Sequence, residues 1–101
     1  MTPTEILQAI ALGLTVVKFF PANIYGGMKA MKALAAPFPQ VKFIPTGGIG
    51  IGDVKEYAAA PFIHAIGGSW VCKGDLISSG DFEKITSLSR EVREAIDAVR
   101  G

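Results

Sequence analysis

The chain has 101 residues, half of them hydrophobic and 19% charged, which predicts one domain with a packed core and argues against disorder. Ten lysines and arginines against nine aspartates and glutamates leave a net charge of +1, with no basic stripe to follow a nucleic-acid backbone. One cysteine cannot form an internal disulfide, and with one histidine it cannot build an ordinary structural zinc site, so we expect no metal and a reducing, cytoplasmic setting.

The first predicted element is a helix from Pro3 to Leu12. Thr2 is its expected N-cap, with Glu5 at capping-box spacing, and Gly13 is placed to end it. This start lacks the regions of a signal peptide, and no stretch reaches the ~20 apolar residues that span a bilayer. We therefore expect a soluble protein with neither a membrane nor a nucleic acid as partner.

Three short runs rich in β-branched and aromatic residues are predicted strands. The first is "LTVVKFFPA" (14–22), which we expect to be buried on both faces. The others are "VKFIP" (41–45) and "FIHAIGG" (62–68). They alternate with helices, since apolar spacing predicts a helix over 26–36.

Two further helices are predicted from their starting signals. Asp53 is the expected N-cap of a helix that runs to about Ala59, with Glu56 at capping-box spacing. Asp81 caps a long last helix, whose apolar residues recur at three- and four-residue steps and which Gly101 closes.

The alternation of elements predicts an α/β fold with a parallel sheet of about three strands and four helices. Residues 1–101 are expected to form a single domain. Three such units make either a small open sheet or a slice of a larger (β/α)8 barrel, and the slice leaves two sheet edges that need cover.

Two glycine-rich loops follow neighbouring predicted strands. In a parallel sheet the loops that follow the strands meet at one edge, and glycines there let backbone N–H groups approach an anion. This predicts a phosphate cup; the alternative, that the glycines only form tight turns, is weakened by their pairing. The residues of the expected cup are Thr46, Gly47, Gly48, Gly67, Gly68 and Ser69.

The near-repeats "VKFFPA" and "VKFIPT" each place a lysine three residues before a proline. Lys18 lies within an apolar strand, on one face with Phe20, where an ammonium is costly to keep charged and a nucleophilic amine is favoured. Such an amine forms a Schiff base with a ketone; the alternative is that Lys18 reaches the surface or pairs with a carboxylate. Lys42 begins its strand, at the end opposite the expected site. We predict that it is a solvated residue at the rim of the sheet.

The other reactive residue types have structural interpretations. We expect His64 to be packed or to face a helix, Cys72 to be a buried small residue, and Trp70 to pack at a strand end. The carboxylates are accounted for as caps or first-turn residues, so none remains as an evident general base.

At "GLTVVKFFPA", "ALAAPFPQVKFIPTGGI" and "IGGSW" the sequence resembles the family of 2-dehydro-3-deoxy-6-phosphogluconate (KDPG) and 4-hydroxy-2-oxoglutarate (KHG) aldolases. The resemblance runs over nearly the whole chain. It implies a class I aldolase on a (β/α)8 TIM barrel, without a cofactor, that cleaves a keto acid to pyruvate and an aldehyde. It also implies a homo-oligomer, since family members are usually trimers.

By this resemblance Lys18 is the Schiff-base residue, with Phe20 and Thr46 as substrate-binding residues. The phosphate-binding positions it implies are Gly47, Gly48, Gly68 and Ser69.

The resemblance covers only the carboxyl-terminal half of the family chain, the last three of its eight strands. The family's glutamate base and its ligands for the pyruvate carboxylate lie on earlier strands, which leaves two hypotheses. The chain is the Schiff-base and phosphate-binding part of an aldolase, or it is a catalytically incomplete half-barrel that binds phosphate or only assembles with a complementing chain. A third hypothesis is another phosphate-binding barrel enzyme, which has no need of Lys18.

Overall fold

The computed structural model describes residues 2–100, which form an α/β structure with a parallel two-stranded sheet. Within that range there are five α-helices and one short 3-10 helix over Trp70–Cys72. In chain order the elements are α1 (Pro3–Ala11), β1 (Val16–Phe19), α2 (Gly27–Ala35), β2 (Lys42–Pro45), α3 (Ile51–Ala59), α4 (Gly74–Ser79) and α5 (Phe82–Arg100). No helix in this range is both long and apolar enough to cross a membrane.

The first helix begins and ends as its sequence predicts. The Thr2 hydroxyl accepts from the Glu5 N–H at 3.3 Å, and the Glu5 carboxylate accepts from the Thr2 N–H at 2.8 Å. Gly13 has φ +82°, and the next N–H, of Leu14, donates to the carbonyl of Ala9 at 3.0 Å. This is a Schellman ending, in which the left-handed glycine turns the chain directly into β1.

The sheet carries the core on one face. Phe19 of β1 and Phe43 of β2 are almost fully buried and meet edge to face, with ring centroids 5.9 Å apart. Lys18, on the other face of β1, and Phe20, which directly follows the strand, are exposed. The expectation that β1 is buried on both faces is therefore wrong for the described chain, because no layer of residues 2–100 covers the second face.

The third helix begins earlier than expected. Gly50 is its N-cap, with an extended backbone, and Asp53 is the third helical residue. The Asp53 carboxylate accepts from the Gly50 N–H at 3.0 Å. Asp53 thus stabilises the helix start from inside the first turn, and its predicted role as the N-cap is wrong.

The third predicted strand is reduced to one bridge beside β2. The N–H of Phe43 donates to the Phe62 carbonyl, and the Phe43 carbonyl accepts from the His64 N–H, both at 2.8 Å. The next β2 residue that faces this segment is Pro45, which has no N–H to donate. Regular pairing therefore stops after one bridge, and the prediction of three strands is corrected to two strands and an adjoining extended segment.

The carboxyl-terminal region contains two elements that the sequence pattern missed, the 3-10 helix and α4. The long helix α5 begins as predicted: Asp81 Oδ1 accepts from the Lys84 N–H at 3.2 Å. It packs against α3. The expected closure at Gly101 lies outside the described residues.

Candidate active site

The carboxyl ends of β1 and β2 are joined by backbone hydrogen bonds. The Thr46 N–H donates to the Phe19 carbonyl at 2.9 Å, and the Ala22 N–H donates back to the Thr46 carbonyl at 2.7 Å. One step further, the Asn23 N–H donates to the Gly47 carbonyl at 3.3 Å. The loop that follows Lys18 and Phe20 is thus fixed directly beside the loop that begins at Thr46.

The extended segment after α3 brings its glycines to the same edge. The Gly67 N–H donates to the Pro45 carbonyl at 2.9 Å. A Cβ built on Gly67 would lie 2.7 Å from Thr46 Oγ1 and 3.0 Å from its Cγ2. The two glycine-rich loops therefore lie in contact, through Thr46, as the parallel arrangement predicts.

Gly47 and Gly48 have a backbone that favours glycine, with φ of +96° and +68°. A Cβ on Gly47 would lie 3.0 Å from Pro21 Cα, and one on Gly48 would overlap the side-chain amide of Asn23. Successive backbone N–H groups that converge within a turn form concave sites that suit an anion. Asn23 was not singled out by sequence reasoning, and its only signal was its place directly after a strand end.

The second glycine loop is shaped by Trp70. A Cβ on Gly68 would overlap the indole ring, so only glycine fits beneath it. The indole Nε1 is buried and has no hydrogen-bond partner within residues 2–100. Ser69 is exposed and precedes the 3-10 helix, with its carbonyl accepting from the Cys72 N–H at 3.1 Å.

Lys18 lies on the open face of β1. Its Nζ is 5.2 Å from the centroid of the Phe20 ring, a distance at which an ammonium is attracted to the ring face. Phe20 itself is 57% exposed. The expected burial of Lys18 among apolar residues is thus wrong for the described chain, although its expected placement on one face with Phe20 is confirmed.

Lys42 lies at the other end of the sheet. It is exposed, as predicted, and lines a groove of about 480 Å³ together with Lys32 and Phe62. Lys18, by contrast, lies on the exposed face of β1, so a site at Lys18 is open to solvent in residues 2–100.

The expected burial of Cys72 is wrong, because its side chain is exposed. His64 is also exposed and so is not packed, but it lines a groove with Ala58 of α3 and Arg100 of α5, in keeping with the alternative that it faces a helix. Trp70 does pack against the core, as expected. Among His, Cys, Asp and Glu within residues 2–100, no group of three is arranged to hold a metal ion.

Tyr57 is a titratable side chain that is buried in the core. Burial raises its pKa above the ordinary value, and the negative charges of Asp53 and Glu56 on the same helix raise it further. A Cβ on Gly27 would lie 3.4 Å from the Tyr57 hydroxyl oxygen, so the ring packs at the start of α2. Tyr57 is therefore a residue of the core cluster.

Comparison with known proteins identifies one family. Residues 1–88 match the sequence model of the aldolase family described as KDPG and KHG aldolase. The 2-dehydro-3-deoxy-phosphogluconate aldolase of Treponema pallidum is 45% identical over 93 residues, which are 92% of this chain and 44% of that protein. The chain therefore spans less than half the length of the curated relatives it matches.

Solved structures agree with the sequence comparison. The KDPG aldolase of Legionella pneumophila, with pyruvate captured as a covalent carbinolamine, matches 97% of this chain and 44% of that one, with a TM-score of 0.80 and 36% identity. The 2-keto-3-deoxy-6-phosphogluconate aldolase of Zymomonas mobilis, with 3-phosphoglycerate, matches 88% and 41%, with a TM-score of 0.77 and 39% identity.

Proposed function

We propose, from the premise that the chain belongs to the family of KDPG and KHG aldolases, that it carries the imine-forming lysine and the phosphate site of a class I aldolase. The substrate is KDPG, cleaved to pyruvate and glyceraldehyde 3-phosphate, or 4-hydroxy-2-oxoglutarate, cleaved to pyruvate and glyoxylate. The observation that carries the proposal is the placement of Lys18 and Phe20 on the open face of β1, with the glycine loops at the end of the same strand pair.

Lys18 acts as the nucleophile. Its neutral amine attacks C2 of the keto acid, and the carbinolamine loses water to give a protonated imine. A base removes the proton of the C4 hydroxyl, the C3–C4 bond breaks, and its electron pair moves into the imine to form an enamine as the aldehyde leaves. Protonation at C3 and hydrolysis then release pyruvate and restore the amine. The covalent carbinolamine described for the Legionella pneumophila protein supports this sequence of steps.

The base comes from outside residues 2–100. In that range the Lys18 ammonium lies over the Phe20 ring, and the carboxylates of Glu5, Asp53 and Asp81 accept from backbone N–H groups at helix starts. The relatives are more than twice as long as the matched region, and the remaining part of the family chain is the proposed source of the base.

The glycine loops hold the phosphate of the substrate. Gly47 and Gly48 after β2, with Gly68 and Ser69 after the extended segment, present backbone N–H groups and one hydroxyl at the carboxyl edge of the sheet. Phe20 and Thr46 lie between this cup and Lys18 along the strand ends and contact the carbon chain of the substrate. Binding at the phosphate holds C2 in reach of the amine, which raises the effective concentration of the ketone.

The fold proposed for the complete assembly is a (β/α)8 barrel to which residues 1–101 contribute the carboxyl-terminal portion as one partial domain. The open face of β1 then faces the barrel interior, where Lys18 gains the apolar surroundings that it lacks in the described chain. Further copies or a complementing chain cover the two edges, and the family trimer is the proposed oligomer.

Trapping with pyruvate and borohydride tests the proposal. Borohydride reduces an imine to a stable secondary amine, which mass spectrometry of the intact chain detects. Lys42→Ala is the matched control, since Lys42 has the same distance to a proline in its strand but lies at the opposite end of the sheet.

A further inference from the structure

One side chain outside the glycine loops holds the segment that leads to the second of them. The guanidinium of Arg100, in the last turn of α5, donates to three backbone carbonyls. Nη2 bonds Ile63 at 2.7 Å, Nη1 bonds His64 at 2.9 Å, and Nε bonds Ala58 at 3.0 Å. Arg100 lies beyond residues 1–88, the region that matches the family.

Within residues 2–100, each of these carbonyls is free of a backbone N–H partner and is therefore open to the guanidinium. In a regular parallel ladder the His64 carbonyl would accept from residue 45, which is a proline and has no N–H. The Ile63 carbonyl accepts from no backbone N–H of the described chain, since its segment forms only one bridge with β2. The Ala58 carbonyl belongs to the last turn of α3, whose carbonyls have no partner within the helix.

The same proline shifts the pairing of the segment. In a regular parallel ladder, the N–H of Ile66 would donate to the Pro45 carbonyl. The observed donor is the N–H of Gly67, one residue later. The segment therefore has one extra residue between its two attachments to β2. Between these attachments Ala65 and Ile66 make no backbone hydrogen bond that would fix the register.

We propose that Arg100 is a positioning residue, which fixes the register of the segment 62–66 against β2 and thereby places Gly67 and Gly68 beside Thr46. The role as a support of phosphate binding rests on the proposed function, whereas the register itself does not. A planar guanidinium is suited to this task because it donates several N–H groups in a fixed geometry, which a lysine cannot reproduce.

Amide exchange measured by NMR in phosphate-free buffer tests the register. We expect Arg100→Ala and Arg100→Lys to accelerate exchange of the Gly67 amide by about tenfold or more, because the segment then opens locally. Exchange of the Thr46 amide, which joins β2 to β1, stays unchanged. Arg90→Ala, an exposed arginine on the same helix, is the control and changes neither amide.

Titration with inorganic phosphate and reaction with pyruvate extend the test. We expect Arg100→Lys to weaken phosphate binding several-fold while the rate of pyruvate adduct formation at Lys18 is unchanged, because pyruvate carries no phosphate. If Arg100→Ala does not fold, the Lys variant decides.

Unchanged Gly67 exchange, or exchange that rises equally at Thr46, overturns the proposed role of Arg100. Absence of phosphate binding in the wild-type chain contradicts the phosphate cup instead, and the exchange measurement still decides whether Arg100 sets the register.

Discussion

The Gly67 N–H donates to the Pro45 carbonyl at 2.9 Å, one residue later than an uninterrupted parallel ladder would place this bond. Because Pro45 has no N–H, it cannot donate to the His64 carbonyl as a regular ladder requires. This carbonyl accepts from Arg100 instead. The strand pairing thus ends where the glycine-rich loop begins. One proline in β2 therefore helps to determine where the candidate phosphate cup lies.

Gly67→Ala tests the contact between the two glycine loops. The new Cβ would lie 2.7 Å from Thr46 Oγ1, so the threonine side chain or the loop must move. We expect the free energy of unfolding to fall by ~1–3 kcal/mol, as for other overpacked sites, and phosphate binding to weaken. Urea unfolding and phosphate titration measure the two effects.

Gly52→Ala is the matched control for this substitution. Gly52 lies in α3, and a Cβ there meets no atom within 4 Å. Alanine at an open helical position should stabilise the chain by ~0.5–1 kcal/mol. An equal loss of stability in both variants would mean that the contact with Thr46 is not the cause.

Gly48→Ala probes the packing of Asn23. The substitution forces a left-handed backbone on alanine and overlaps the Asn23 amide, so we expect a loss of ~2–4 kcal/mol from strain and overlap together. In the Gly48→Ala variant, Asn23→Ala removes the overlapping atoms and should restore part of the lost stability. The cost of the left-handed backbone at residue 48 should remain. A double-mutant cycle by urea unfolding measures the coupling, and strictly additive effects would show that the amide does not occupy that space.

Tyr57→Phe should weaken the dependence of the unfolding free energy on pH in the alkaline range. The folded-state pKa of Tyr57 is raised above 10.0, first by burial and then by Asp53 and Glu56. The unfolded chain therefore loses the phenol proton first, and the contribution of Tyr57 to stability is present below pH 10 and is lost as the pH rises through the folded-state value. The difference in unfolding free energy between wild type and Tyr57→Phe should change only above about pH 10. A difference independent of pH would contradict this.

The sequence was most informative where a structure depends on near neighbours. The Thr2–Glu5 capping box, the glycine ending of α1 and the alternation of Lys18 with buried Phe19 all follow from spacings of a few residues. The pairing of the glycine loops followed from one rule of parallel sheets. Residues near in sequence therefore predicted the ends of α1 and the alternation along β1, whereas the contact between the glycine loops was predicted by the sheet rule.

Interactions between distant residues were missed. Arg100 reaches carbonyls 36 to 42 residues earlier in the chain, and no local pattern indicates such partners. The loss of the third strand had a readable signal in Pro45, which lacks the N–H that continued pairing requires. The exposure of Lys18, His64 and Cys72 depends on whether another layer of structure covers them. A local run of apolar residues does not indicate whether such a layer is present.

The central claim is that Lys18 forms an imine with pyruvate, and peptide mapping after pyruvate and borohydride treatment tests it most directly. The account predicts a reduced pyruvate adduct on the peptide that contains Lys18, its loss in Lys18→Ala and its persistence in Lys42→Ala. A folded, phosphate-binding chain without an adduct, or an adduct distributed equally over Lys18 and Lys42, would contradict it.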